Sequence, residues 1–244
     1  MKTDKSIDKT NQDIETIVPQ WNWLYKMGGV SALLAMCINL SDVILGFGET
    51  EVVNYGTRSA ADWFAIFQLS PFEGLYSLGI FNITYMVAML PVYFALVWAH
   101  RRRQGVQAVM VLVVFLLAMA IYLSTNAAIP LLVLSNKYAV ADTDVQRIIF
   151  IAAGEAILAR GEDFTPGSFI GLIFSGSSAI AISIVMLHGG IFGKVIAWVG
   201  IIGFTFLSLF TICATFVPAL YTIAFYFFGS IGGLLALTWF ALVA

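Results

Sequence analysis

Few side chains in this sequence could bind a ligand or move a proton, and most of them flank long apolar runs. Ionisable residues inside or beside such runs are costly in a membrane, which makes them functional candidates. Lys26, Asp42 and Glu73 meet this criterion, and Asn and Ser side chains lie within a few helical turns of the two acids. The candidate ligand-binding set is Asn39, Asp42, Glu73, Ser77, Asn82, Asn126, Arg147 and Glu155.

Arg147 and Glu155 are eight residues apart, about two helical turns, so on a helix they point the same way. Arg147 could bind an anionic group, and Glu155 could pair with it or act as a general base. A solvated polar helix face is the alternative for this pair. Likewise, Asp42 and Glu73 could be hydrated at the membrane edge or cap helices. The sequence assigns no catalytic residue.

Metal and cofactor chemistry has little support in the sequence. Cys37 and Cys213 lie in apolar runs without metal-binding spacing. His100 and His188 lie at span ends, whereas haem-binding helices usually hold the ligand within the membrane. Lys194 is also at a span end, which disfavours a retinal Schiff base. Phosphate-loop, HExxH and nucleophile-elbow motifs are missing. We predict no metal and no cofactor.

The amino-acid composition excludes most classes of soluble protein. Of 244 residues, 60% are hydrophobic and 11% are charged, and mean hydropathy is +0.93. A soluble domain carries roughly 25% charged residues. The net charge of −2 provides no field for a nucleic-acid partner. We therefore predict an integral membrane protein whose partners are membrane lipids and a membrane protein or a second copy of itself.

Continuous apolar runs predict an all-α bundle of six transmembrane helices, because a span needs about 20 apolar residues. A polar cytoplasmic tail, 1–23, precedes one membrane domain, 24–244. Eight of the twelve Lys and Arg residues fall on the side of Arg101, Arg102 and Arg103, which predicts a multi-pass cell-membrane protein with both termini cytoplasmic. The predicted spans are 24–45, 72–98, 106–130, 168–188, 194–216 and 220–243.

Two outer loops, 46–71 and 134–166, carry further signals. In the first, which is acidic at Glu49 and Glu51, residues 60–69 predict a short interfacial helix with Trp63, Phe64 and Phe67. In the second, residues 143–160 predict an amphipathic helix over the outer face of the bundle, as a lid on a polar pocket. Its predicted apolar face consists of Val145, Ile148, Ile149, Ala152, Ala156 and Ala159.

Small residues predict close helix packing in two spans. In span four they recur at every fourth position, and in span six the pattern is shorter. The positions are Gly167, Gly171, Ser175, Ala179 and Ser183 in span four, and Gly229 and Gly233 in span six.

Five short stretches carry a family resemblance: residues 134–139 (LSNKYA), 146–147 (QR), 152–156 (AAGEA), 191–194 (IFGK) and 198–201 (WVGI). The chain resembles domain-of-unknown-function family 4386, a group of prokaryotic membrane proteins, from about residue 70 to its end. The resemblance implies six spans and no agreed activity.

Two classes of function remain open. The first is a non-enzymatic membrane binding protein, with an outward-facing polar pocket for a small lipophilic or lipid-like molecule, or an accessory subunit for a partner. The second is an intramembrane enzyme or small-solute transporter that uses Asp42, Glu73, Arg147 and Glu155. Convergence of these four side chains would favour the second class.

Overall fold

The computed structural model describes residues 4–48 and 57–244, with side chains for 21–45, 57–217 and 219–244. Glu49 and Glu51 therefore lie outside the described residues. The described chain is helical and contains no strand. Its helices are α1 Asp4–Gly48, α2 Ala60–Leu69, α3 Pro71–Ser77, α4 Ile80–His100, α5 Gly105–Thr125, α6 Ala128–Ala139, α7 Asp144–Gly161, α8 Pro166–Gly189, α9 Lys194–Phe216, α10 Tyr221–Ala224 and α11 Ser230–Val243.

Within residues 4–48 and 57–244, six stretches are long and apolar enough to cross a membrane, so the predicted all-α polytopic bundle is confirmed. Helices are favoured there because lipid offers no partner for backbone N–H and C=O groups. The stretches are Trp21–Leu45, Ile80–His100, Gly105–Ala139, Asp144–Gly189, Lys194–Phe216 and Tyr221–Val243.

Helix α8 lies at the centre of the bundle and packs on both α5 and α9. A Cβ at Gly171 would lie 3.1 Å from Tyr122 Cβ, so the small side chain lets α5 approach closely. On the other side, Gly200 of α9 leaves room for the Ser183 hydroxyl. The predicted role of the span-four stripe in helix packing is therefore confirmed at these positions.

Two span boundaries differ from the prediction, and a third span is interrupted. Span two begins at Ile80 rather than at 72, because Gly79 has a left-handed φ of 87° that separates α3 from α4. After α5 ends at Thr125, the chain continues as α6 beyond position 130. Span six is interrupted by a π-helical segment, Phe225–Gly229. In α11, Gly232 contacts Gly203 and Leu207 of α9 closely, whereas the small residues predicted to pack in this span are Gly229 and Gly233.

Helices α2, α3, α6 and α7 form a cap layer at the end of the bundle where the first and third spans finish. Helix α2 has the predicted bounds, and Ser59 and Asp62 form a capping box at its start. Hydrogen bonds from Ser59 hold the pKa of Asp62 below its usual value. The aromatic residues of α2 are buried rather than interfacial: Trp63 and Phe64 are 0% exposed and Phe67 is 2% exposed.

Helix α7 is present as predicted, but its orientation differs from the expectation. The residues predicted to cover the bundle, from Val145 to Ala159, are all exposed. Gly154, Leu158 and Gly161 form the buried face instead. The reason is steric: Gly154 lies against Ala60 and Phe64 of α2. The larger side chains of the predicted apolar face would prevent so close an approach.

Candidate functional site: a buried carboxylate cluster

The α7–α8 connection, residues 162–165, turns an acidic side chain into the protein. Gly161 ends α7 against the backbone carbonyl of Thr125, where a Cβ would overlap. Pro166 begins α8, and Phe164 adopts a left-handed φ of 56°. These constraints bring the connection against the end of α5. Asp163 is consequently only 2% exposed, and the neighbouring Glu162 only 3%.

Asp163 accepts hydrogen bonds from two different helices. The Tyr122 hydroxyl of α5 donates to Asp163 Oδ1 at 2.6 Å and contacts Oδ2 at 2.9 Å. Asn82 Nδ2 of α4 donates to Asp163 Oδ2 at 2.8 Å. The carboxylate therefore connects α4, α5 and the α7–α8 connection, and we call Asp163, Tyr122, Asn82 and Asn126 the Asp163 cluster.

Asn126 is the fourth member of the cluster, and Gly79 packs against it. Asn126 Nδ2 donates to Leu78 O at 2.9 Å, and Asn126 Oδ1 accepts from Ala128 N at 2.9 Å. The same amide nitrogen lies 3.4 Å from the Tyr122 hydroxyl. Gly79 packs directly on Asp163 and Tyr122, since a Cβ there would overlap both side chains. The breaks between α3 and α4 and between α5 and α6 thus meet at one buried carboxylate.

The charged side chains in and around the cluster are acidic. Asp42 of α1 and Glu162 lie within electrostatic range of Asp163, and among the described residues no Lys or Arg forms an ion pair with it. A buried carboxylate without a cationic partner is costly, and its charge is relieved by a proton, a cation or further hydrogen-bond donors. The site is therefore suited to a positively charged or hydrogen-bond-donating group.

A group of packed aromatic rings begins at Phe164, the residue that follows Asp163 in the chain. The Phe164 ring is 5.1 Å from the Phe210 ring, and Phe210 also contacts Tyr221 and Phe225 at 5.8 and 6.0 Å between ring centroids. Phe210 and Tyr221 are buried. We call Phe164, Phe210, Tyr221 and Phe225 the aromatic cluster. Aromatic faces attract cations and bury apolar groups, so they complement the neighbouring carboxylate chemically.

Several predicted site residues lie in or near the Asp163 cluster. Asn82 and Asn126 belong to it, and Asp42, half-buried, is within its electrostatic range. Asn39, one turn away on α1, donates to Ala35 O at 2.9 Å within its own helix. Ser77 is buried in the last turn of α3, just before the Gly79 break.

The other three predicted residues are exposed and do not join the cluster. Glu73 lies in the first turn of α3, where its backbone N–H donates to Ser70 Oγ. Arg147 donates to Ala141 O at 3.3 Å near the start of α7. Glu155 accepts from Ala60 N at 2.7 Å and so satisfies the first turn of α2. The four residues Asp42, Glu73, Arg147 and Glu155 do not converge on one point.

The contact of Glu155 with α2 leads to a stability prediction. We expect Glu155→Ala to lower the free energy of unfolding by about 0.5–2 kcal/mol, the usual cost of losing a side-chain helix cap. Glu155→Gln should cost less, because the amide oxygen can still accept from Ala60 N. Reversible unfolding in mixed micelles measures both. Equal losses in the two variants would contradict a capping role.

The two histidines occupy different environments at the opposite end of the bundle. His100 is 0% exposed, its Nδ1 is 2.8 Å from Leu96 O, and its ring stacks on Phe192. His188 is exposed, with Nδ1 3.0 Å from Ile184 O. Over the described part of the chain, no three His, Cys, Asp or Glu residues are grouped to hold a metal. The absence of a cofactor stays a prediction.

Three residues of the site were not singled out from the sequence: Tyr122, Glu162 and Asp163. Residues 162 and 163 fall in the predicted outer loop 134–166, where acids are expected to be hydrated. The available signal was the pair Gly161 and Pro166. Together they predict a helix stop and a helix start only a few residues apart. A connection that short keeps its side chains close to the packed helix ends.

The six apolar helices define the chain as a multi-pass integral membrane protein. Scans against protein-family models, curated proteins and solved structures give no match for the chain. The resemblance to domain-of-unknown-function family 4386 therefore stays a prediction.

Proposed function

We propose that this protein is a non-enzymatic membrane binding protein for a small lipophilic molecule, and that its ligand carries a positive charge or hydrogen-bond donors. The observation that carries the proposal is the buried Asp163 carboxylate, whose side-chain partners are neutral donors and whose charged neighbours are acids. Since the cap layer lies on the side predicted to be outside, the ligand would bind in the outward half of the bundle.

The proposed chemistry of the ligand rests on two groups of residues. Asp163 and Asp42 supply negative charge, which favours an ammonium, phosphonium or similar cationic group. The aromatic cluster, which begins at the residue after Asp163, would supply apolar contact and cation–π attraction for the rest of the molecule. A wholly neutral lipid would gain the second contribution only.

Binding of tetraphenylphosphonium, a lipophilic cation, to the purified protein tests the proposal. We expect saturable binding that Asp163→Asn weakens roughly tenfold or more, because the coulombic attraction between unit charges about 8 Å apart at an effective dielectric constant of about 20 is roughly 2 kcal/mol. Glu73→Gln is the matched control, since it removes an exposed carboxylate of the cap layer outside the cluster. It should bind as the wild type does. Equal affinity in all three proteins would refute the proposal.

A second candidate, a small-solute transporter, is favoured by Asp42. This acid lies in the first span and its charge acts on Asp163, so both carboxylates could take part in binding a transported proton or cation. Pyranine trapped in proteoliposomes distinguishes the candidates. If added tetraphenylphosphonium changes the internal pH of the proteoliposomes only when the protein is present, and Asp42→Asn abolishes this change, the result supports transport. Binding without such a change supports the binding protein.

Partners beyond the ligand are part of the proposal. Membrane lipids surround the six spans, and the chain could serve as an accessory subunit for a membrane protein or assemble with a second copy. Size-exclusion chromatography with light scattering separates a monomer from a homo-oligomer.

A further inference from the structure

A groove between α5 and α8 lies at the end of the bundle opposite the Asp163 cluster. It has a volume of about 430 Å³ and is lined by Gln104, Gln107, Val111, Ala181, Ile184, Val185 and His188. Its residues come from the N-cap and first turns of α5 and from the last turns of α8. The volume is within the range of roughly 300–1,000 Å³ that is typical of small-molecule sites.

The groove is amphipathic along its length. Val111, Ala181 and Val185 form its apolar part, where the two spans run side by side. Gln104, Gln107 and His188 lie where the spans end, and their side chains offer hydrogen bonds. A molecule that matches the apolar part and the polar end of the groove has a hydrocarbon chain and a polar head.

The polar end of the groove is next to basic groups. Arg103 donates from its guanidinium to Gly189 O at 3.0 Å, one residue beyond His188. Arg101 and Arg102 are exposed on the same α4–α5 turn. His188 Nδ1 is bonded to a carbonyl oxygen, which only accepts, so Nδ1 carries the hydrogen. Nε2 of a neutral ring is then an acceptor, available to a hydroxyl of a lipid headgroup. The positive charge of Arg101, Arg102 and Arg103 is complementary to a phosphate group.

We infer that the groove is a binding site for one anionic phospholipid, with an acyl chain along Val111, Ala181 and Val185. Its phosphate would lie at the Gln104, Gln107 and His188 end, where Arg103 supplies positive charge. The site is independent of the Asp163 cluster, because the two lie at opposite ends of α5. It would hold the lipid specifically, in contrast to the lipids that surround every span.

Native mass spectrometry with two lipids of identical acyl chains tests the site. The wild type should retain one phosphatidylglycerol at concentrations where phosphatidylcholine is lost. Ala181→Leu fills the groove and His188→Ala removes a polar contact, and each should lower phosphatidylglycerol retention by about tenfold. Arg103→Gln should reduce the preference between the two lipids. The control Ala120→Leu, at an exposed position of α5 outside the groove, should retain lipid as the wild type does.

Equal retention of the two lipids by the wild type would overturn the inference. So would undiminished phosphatidylglycerol retention in both Ala181→Leu and His188→Ala. Thermal unfolding of each variant shows whether it is folded. If the Ala181→Leu protein is not folded, His188→Ala alone tests whether the groove binds the lipid. His188 is exposed, so its substitution should leave the helix packing intact.

Discussion

Replacing Asp163 with alanine is expected to lower the free energy of unfolding by roughly 2–5 kcal/mol. The change leaves the Tyr122 hydroxyl and the Asn82 amide without their acceptor, and each buried unsatisfied group costs about 1–3 kcal/mol. Loss of a buried carboxylate's desolvation cost opposes this effect in part. Reversible unfolding in mixed micelles measures the difference.

The control for this experiment is Asp142→Ala, which removes an exposed carboxylate at the start of α7. It should change stability by no more than about 0.5 kcal/mol. Combining Asp163→Ala with Tyr122→Phe should reveal a coupling energy of about 0.5–3 kcal/mol, because the two side chains share a hydrogen bond. An Asp163→Ala protein as stable as the control would mean that the cluster does not hold the helices together.

The second large effect is expected at Gly79. Gly79→Ala should cost roughly 2–5 kcal/mol, from about 1–2 for a side chain at a φ of 87° and about 1–3 for overpacking against Asp163 and Tyr122. Gly105→Ala is the matched control, since a Cβ there meets nothing within 4 Å. Thermal unfolding in detergent should show a lower midpoint for Gly79→Ala alone. Equal midpoints would contradict the close contact between Gly79 and the carboxylate.

The sequence predicts the spans and the loop helices because their signals are local. Continuous apolar runs identify six spans, and α2 has the bounds that its own ten residues predict. The start of α7 follows from Thr143 and Asp144, a cap and an acid in the first turn. Its buried face was assigned incorrectly, since apolar periodicity does not show whether a stripe contacts protein or lipid.

The site was only partly predictable because its partners are distant in sequence. The sequence selects Asn82 and Asn126 as polar residues in the outward half of the bundle, but Asp163 lies 81 residues from Asn82 and 41 from Tyr122. The inward turn of Asp163 depends on the φ of Phe164 and on the contact of Gly161 with Thr125. Neither feature leaves a periodic pattern. Tyr122 likewise resembles any aromatic residue within an apolar span until its hydroxyl contact is known.

The proposed function requires that the acidic Asp163 cluster select a lipophilic cation. Tetraphenylphosphonium and tetraphenylborate test it most directly, because they have nearly the same size and shape and opposite charges. Calorimetric titration of the wild type, with protein-free micelles as the baseline, should show at least about tenfold tighter binding of the cation. Asp163→Asn should lose most of this preference. Equal binding of the two ions by the wild type, or an undiminished preference in Asp163→Asn, would contradict the claim.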